Sequence, residues 1–148
     1  MTKLAVSACL LGNPCRYDGG AKPDKGICTL AKAQGALPIC PECLGGLPTP
    51  RLPSEVVGGD GEDVLNGRAR VLDRAGNDVT EAFIKGAEKA LALCLEAGVN
   101  TAVLKARSPS CGVGIIYDGS FSGQYRAGMG VTAALLKRHG ITLRTEEG

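Results

Sequence analysis

Apolar and polar positions along this chain alternate between two periods. Short, nearly continuous apolar runs at Lys3–Ala8, Ala36–Cys40 and Asn100–Lys105 are each closed by a turn rich in Gly, Pro, Ser or Cys. Runs of that length predict buried strands, and Ile141–Arg144 predicts a closing one. Phe83, Ala87, Leu91 and Leu95 recur at helical spacing between Asp78-Val79-Thr80-Glu81 and Gly98. They predict an amphipathic helix reaching Glu96, with Asp78 or Thr80 as N-cap and Gly98 as its stop. Shorter helices are expected over Asp24–Gln34, stopped by Gly35, and over Met129–Arg138, stopped by Gly140. Ile115–Tyr117 and Phe121–Gly123 around Asp118-Gly119 predict a small hairpin, and Arg68–Leu72 and Arg74–Asp78 bracket a turn. The Pro- and Gly-rich segment Pro41–Gly61 predicts a long ordered loop, a kind usually functional. Strands alternating with helices predict one α/β domain over residues 1–148, a Rossmann-like three-layer sandwich with a mainly parallel sheet.

Composition narrows the chemistry. A chain of 148 residues can bury its own core without staples. Seven cysteines are an odd count, and Met1–Ser7 is too short and too soon interrupted to be a secretory h-region. A cytoplasmic protein with reduced thiols is expected, where clustered cysteines more often mean metal or catalysis than disulfides. No apolar run approaches the ~18 residues of a membrane span. A net charge of +2 indicates neither a polyanion nor a membrane surface, and without tryptophan a stacking platform for single-stranded nucleic acid is poorly supported. The 22 glycines gather beside the cysteines, where they mark tight turns or close backbone approach.

Three cysteines stand out: Cys9 in Ser-Ala-Cys-Leu-Leu-Gly, Cys40 in Leu-Pro-Ile-Cys-Pro-Glu and Cys111 in Ser-Pro-Ser-Cys-Gly. Each follows a predicted strand, at the sheet edge where α/β folds build their sites. Three thiolates converging on one cleft suit a metal or cluster with one position open; three cysteines packed as small hydrophobes are the plainer alternative. Zinc is less attractive. Only Cys40-Pro41-Glu42-Cys43 forms a close pair, and the single histidine, His139, ends the last helix. The same Cys-x-x-Cys could be a redox dithiol, but Leu44-Gly45-Gly46-Leu47-Pro48 predicts a poor helix start behind it. Glu42, two residues from Cys40, is a carboxylate able to carry protons beside a metal. Cys94 belongs to the helix core, Cys28 has no chemistry around it, and Cys15 could be a ligand, a resolving thiol or structural. The glycines from Gly112 to Gly130 lack the Gly-Lys-Ser/Thr of a phosphate loop.

Taken in order, Ser-Ala-Cys-Leu-Leu-Gly, Cys-Arg-Tyr-Asp-Gly, Cys-Pro-Glu…Gly-Gly-Leu-Pro-Thr-Pro-Arg, Asp-Val-Thr and Ser-Pro-Ser-Cys-Gly…Ile-Tyr-Asp-Gly-Ser-Phe-Ser-Gly span nearly the whole chain. They resemble the family of domain of unknown function 523, associated with thiouracil desulfidases. The resemblance implies a [4Fe-4S] cluster on Cys9, Cys40 and Cys111, with one iron free for the sulfur of a thiolated pyrimidine base or nucleoside. It implies Glu42 as catalytic carboxylate and Ser108 as assisting hydroxyl. Water would replace sulfur on the ring, releasing hydrogen sulfide with no net electron transfer. Cys15 is not carried over, and Cys43 departs from the aliphatic residue more usual there. Arg16, Tyr17, Arg51 and Lys105 are expected to contact the base or its substituent. The competing readings are a zinc- or cluster-stabilised module that binds thiolated RNA, and a thiol oxidoreductase using Cys40 and Cys43.

Overall fold

The structure, a computed structural model, describes residues 4–148; Lys3, the expected start of the first strand, lies outside them. Along the chain run β1 (Leu4–Ser7), a 3-10 turn (Ala8–Leu11), α1 (Lys25–Gln34), β2 (Leu37–Ile39), the one-turn helix α2 (Pro41–Leu44), β3 (Ser54–Val57), α3 (Gly61–Leu65) and β4 (Arg70–Asp73). They are followed by α4 (Thr80–Ala97), β5 (Thr101–Leu104), β6 (Ile115–Tyr117), β7 (Tyr125–Ala127), α5 (Val131–Arg138) and β8 (Thr142–Thr145). A parallel sheet in the order β2-β1-β5-β8 forms the middle layer. Alternation along its strands sends Leu4, Val6 and Val103 toward Ile27 of α1. Ala5, Ala102 and Leu104 face the other way, onto Ala90 and Cys94 of α4 and Ala133 and Leu136 of α5. The sheet is therefore covered on both faces, as the alternating pattern predicts. Among the described residues no helix is long and apolar enough to cross a membrane.

A second core lies beside the first. The antiparallel pair β3–β4 packs Val56 and Val71 on Phe83 and Ala87 of α4, together with Val64 of α3, Ile116 of β6 and Val131 of α5. It fixes the β6–β7 hairpin to the body of the molecule.

The structure departs from the predicted elements in five respects. The expected loop Pro41–Gly61 holds α2 and β3; β3 needs β4 as partner, and local sequence does not reveal that pairing. The segment after Cys40 does start a helix: Cys40 is its N-cap, Pro41 occupies the first turn and Gly45 ends it. The hairpin pairs Tyr117 with Tyr125 rather than closing at Asp118-Gly119, leaving a longer loop. On α4 the buried stripe is Phe83, Gly86, Ala87, Ala90 and Cys94, while Leu95 is 55% exposed. Successive four-residue steps drift about 40° each around a helix, so the predicted stripe rotates out of the core by Leu95. The helix N-cap is Val79, not Asp78 or Thr80; Asp78 accepts from the Thr80 amide, and Thr80 accepts from the Val71 amide.

Candidate active site

The chain leaves adjacent strands β1 and β5 in opposite directions, to α1 on one face and α5 on the other. Their C-terminal ends therefore border a crevice, the place where open α/β sheets bind ligands. The Ser7 hydroxyl accepts a hydrogen bond from the Lys105 amide at 2.9 Å and holds the two ends in register. A cavity of about 700 Å3 opens there. Cys9, Cys40 and Cys111 line it, as do Glu42 and Ser108, and so do Arg16, Tyr17, Arg51 and Lys105. Cys15 lines it too. Cys94 is sealed in the core, Cys28 donates to the Leu10 carbonyl at 3.3 Å, and His139 stays with the Leu135 carbonyl at 3.0 Å.

Local folding explains how each group reaches the cavity. Cys9 sits in the 3-10 turn directly after β1. Cys40 caps α2, and Glu42 lies in that helix's first turn. The α2 helix is pressed onto α4 through two glycines: a Cβ on Gly86 would stand 1.9 Å from the Pro41 carbonyl oxygen, and one on Gly45 would stand 2.0 Å from that of Ala82. Only bare backbone permits this approach. Cys111 ends the tight turn Ser108–Cys111, whose Ser108 hydroxyl accepts from the amides of Ser110 at 3.2 Å and Cys111 at 3.1 Å. The carbonyls of Pro109 and Ser110 accept the first amides of α5, which would otherwise lack partners.

Glu42 is held from both sides. Oε1 accepts from Arg51 Nε at 3.0 Å and Oε2 from the Ser110 hydroxyl at 3.0 Å. Arg51 is only 8% exposed, and its other donors reach Cys15 O at 3.0 Å, Thr49 Oγ1 at 3.0 Å and Pro48 O at 3.1 Å. Its guanidinium thus faces Glu42 and the backbone around it. Ser108 reaches Glu42 through Ser110, whose hydroxyl is 3.0 Å away. Lys105 Nζ pairs with Glu146 at 3.0 Å, whereas Arg16 has a looser partner in Asp18 at 3.6 Å and lies over the Tyr17 ring.

The thiols resist ionisation as they stand. Burial, then the neighbouring Cys111, pushes Cys9 up to about 12. Burial pushes Cys111 up to about 11, against the hydroxyls of Ser7 and Ser110 and with Glu42 and Cys40 adding to the rise. Cys40 is raised first by its hydrogen bond to Cys15 and then by burial, and the same bond lowers Cys15. Cys40 caps a helix as a redox dithiol does, yet its shift is opposite to that of an attacking thiol. Buried Cys9 and Cys111 and half-buried Cys40, whose charges would repel one another, fit a soft cationic group, which favours their thiolate forms. Among the described residues no three His, Cys, Asp or Glu side chains are grouped closely enough to hold a single metal ion.

Sequence reasoning missed Ser110 and the aromatic wall of Tyr117, Phe121 and Tyr125. Ser110 could have been found from its position directly before Cys111. The aromatic wall had no local signal, because its approach to the cavity depends on the second core.

A parallel α/β sheet whose switch-point crevice is lined by thiols and a clamped carboxylate brings donors suited to a soft metal group and an acid–base group into one cavity. The chain belongs to the 2-thiouracil desulfurase family, whose model matches residues 4–148. It is 48% identical over 143 residues to the uncharacterized protein YbbK of Bacillus subtilis (strain 168), covering 97% of this chain and 95% of that one. It also matches the solved structure of a [4Fe-4S]-dependent thiouracil desulfidase, TudS, with a TM-score of 0.86 and 48% identity, over 99% of this chain and 92% of that one.

Proposed function

We propose that this chain is a [4Fe-4S]-dependent, non-redox desulfidase that replaces the sulfur of a thiolated pyrimidine base or nucleoside, such as 2- or 4-thiouracil, with oxygen from water. The observation that carries the reading is the presence, in one cavity, of three thiols from three strand ends and a carboxylate fixed from both sides. Cys9, Cys40 and Cys111 would hold the cluster, which would supply soft Lewis-acidic iron matched to a thiocarbonyl sulfur.

The chain's own residues then act on water and substrate. Glu42 takes a proton from the water that adds to the ring carbon; as the C=S bond is replaced by C=O, both water protons leave with the sulfur as hydrogen sulfide. No electron is gained or lost. Arg51 holds the carboxylate in position, and Ser110 with Ser108 behind it completes a relay of hydroxyls able to pass a proton toward the departing sulfur. Arg16, Tyr17 and Lys105 border the substrate. Seven free thiols suit a reducing cytoplasm, and a cavity of this size suits a small molecule better than a membrane or a nucleic acid.

The test is anaerobic incubation of cluster-loaded protein with 2-thiouracil, 4-thiouracil and 4-thiouridine. Equal amounts of sulfide and the oxygenated pyrimidine are expected from at least one of them, without added reductant. Sulfide release that requires a reductant, or none from any of the three, would overturn the reading.

A further inference from the structure

Glu55 lies on β3, outside the sheet that carries the thiols, and is only 9% exposed. Its Oε1 accepts from the amides of Gly119 at 2.9 Å and Phe121 at 3.2 Å, both in the β6–β7 loop. The loop backbone lies flat on β3 at this point, for a Cβ on Gly119 would stand 2.5 Å from the Val56 carbonyl oxygen. At its base the hairpin is tied by the bridge between Ile116 and Arg107. Arg107 and Phe121, with φ of 65° and 57°, are the non-glycine residues held in the left-handed region among those described, and both line the cavity. Bulky residues adopt that conformation only where surrounding contacts impose it, and such positions gather at ligand clamps. Tyr17, Tyr117, Phe121 and Tyr125 surround the cavity, whereas Phe83 is buried in the second core.

We propose that Glu55 is a positioning residue: it clamps the β6–β7 loop as an aromatic arm at the cavity mouth, where Phe121 and Tyr125 form the wall that holds the pyrimidine ring. The inference rests on the desulfidase reading for its substrate. The β3–β4 pairing is made by backbone groups, so the Glu55 carboxylate serves the arm. An aromatic wall recognises a flat ring by its face and excludes water from the reacting side.

The test compares Glu55→Ala, Glu55→Gln and Phe121→Gly in the cluster-loaded protein. Glu55→Ala should raise KM for the thiolated pyrimidine about tenfold, as expected for two lost backbone-to-carboxylate hydrogen bonds, with kcat changed less than about threefold. Glu55→Gln keeps an acceptor oxygen and should recover most of that loss. Hydrogen exchange should accelerate in residues 118–124 of Glu55→Ala and not in the central sheet. Phe121→Gly relieves the strained backbone and removes the ring, so it should raise KM even where Glu55→Ala fails to fold. Calorimetric binding of uracil, which needs no turnover, separates the two readings. Weaker uracil binding by the variants would support the arm even if the wild type released no sulfide, a result that would sink only the desulfidase reading. Equal uracil affinity in wild type and variants, or an unchanged KM, would overturn the arm.

Discussion

Replacing Arg51 by methionine keeps the side chain's apolar stem and removes its guanidinium from Glu42, Thr49, Cys15 and Pro48 together. At the 3.0 Å separation of Nε and Oε1, two unit charges attract by about 5.5 kcal/mol at an effective dielectric of 20. With the arginine 8% and the glutamate 16% exposed, desolvation offsets much of that attraction. Breaking a nearly buried pair costs about 3–5 kcal/mol; the Ser110 bond that Glu42 retains reduces the expected loss to about 2–4 kcal/mol. Urea unfolding of the cluster-free protein reads this number, with the slope checked against wild type. The same change releases Glu42 from its aim, and misplacing a catalytic group by about 1 Å can cost about 100-fold in rate. Arg51→Lys restores charge without the planar fork and should recover stability better than turnover. An Arg51→Met protein within about 0.5 kcal/mol of wild type and with unchanged kcat would refute the clamp.

Other outcomes follow from the same geometry. Gly86→Ala drives a Cβ into the Pro41 backbone, so it should destabilise the protein by about 1–3 kcal/mol or more and lower cluster content, because α2 carries Cys40 and Glu42. A wild-type melting curve and full iron loading would contradict that docking. Glu42→Gln should keep the cluster and lose about 100- to 10,000-fold in kcat; an active variant would remove Glu42 from the chemistry. Burial lifts the Cys94 thiol from 9.0 to about 11, above its value in the unfolded chain. Its contribution to stability is therefore full below about pH 9 and lost as pH rises toward 11. In the cluster-free protein, Cys94→Ala should flatten the fall of urea midpoint between pH 8 and pH 11, and an unchanged slope would contradict the assignment.

The parts legible in the sequence were those written in local pattern. The parallel strands are apolar runs bounded by turn residues, and every cysteine, carboxylate and cation assigned from the motifs borders one cavity. Partnerships between distant segments were not legible. The strand β3 is hidden among prolines and glycines because its stability comes from β4 and Phe83. Arg51 carries no local mark of its bond to Glu42; the two meet because α2 is docked on α4 through Gly45 and Gly86. In the longer β6–β7 loop the Gly119 and Phe121 amides bond to Glu55, a partner 64 and 66 residues away that no local pattern marks. Leu95 illustrates a different limit: its spacing matched a helical face, but the face rotates away from the sheet before reaching it.

The most direct test of the central claim is metal analysis of anaerobically reconstituted protein, with iron, acid-labile sulfide and zinc measured in wild type and in single cysteine variants. The account predicts about four iron and four sulfide per chain in wild type and in Cys94→Ala. It predicts loss of the cluster in each of Cys9→Ala, Cys40→Ala and Cys111→Ala. Zinc in place of iron, or full iron in any of those three variants, would contradict it.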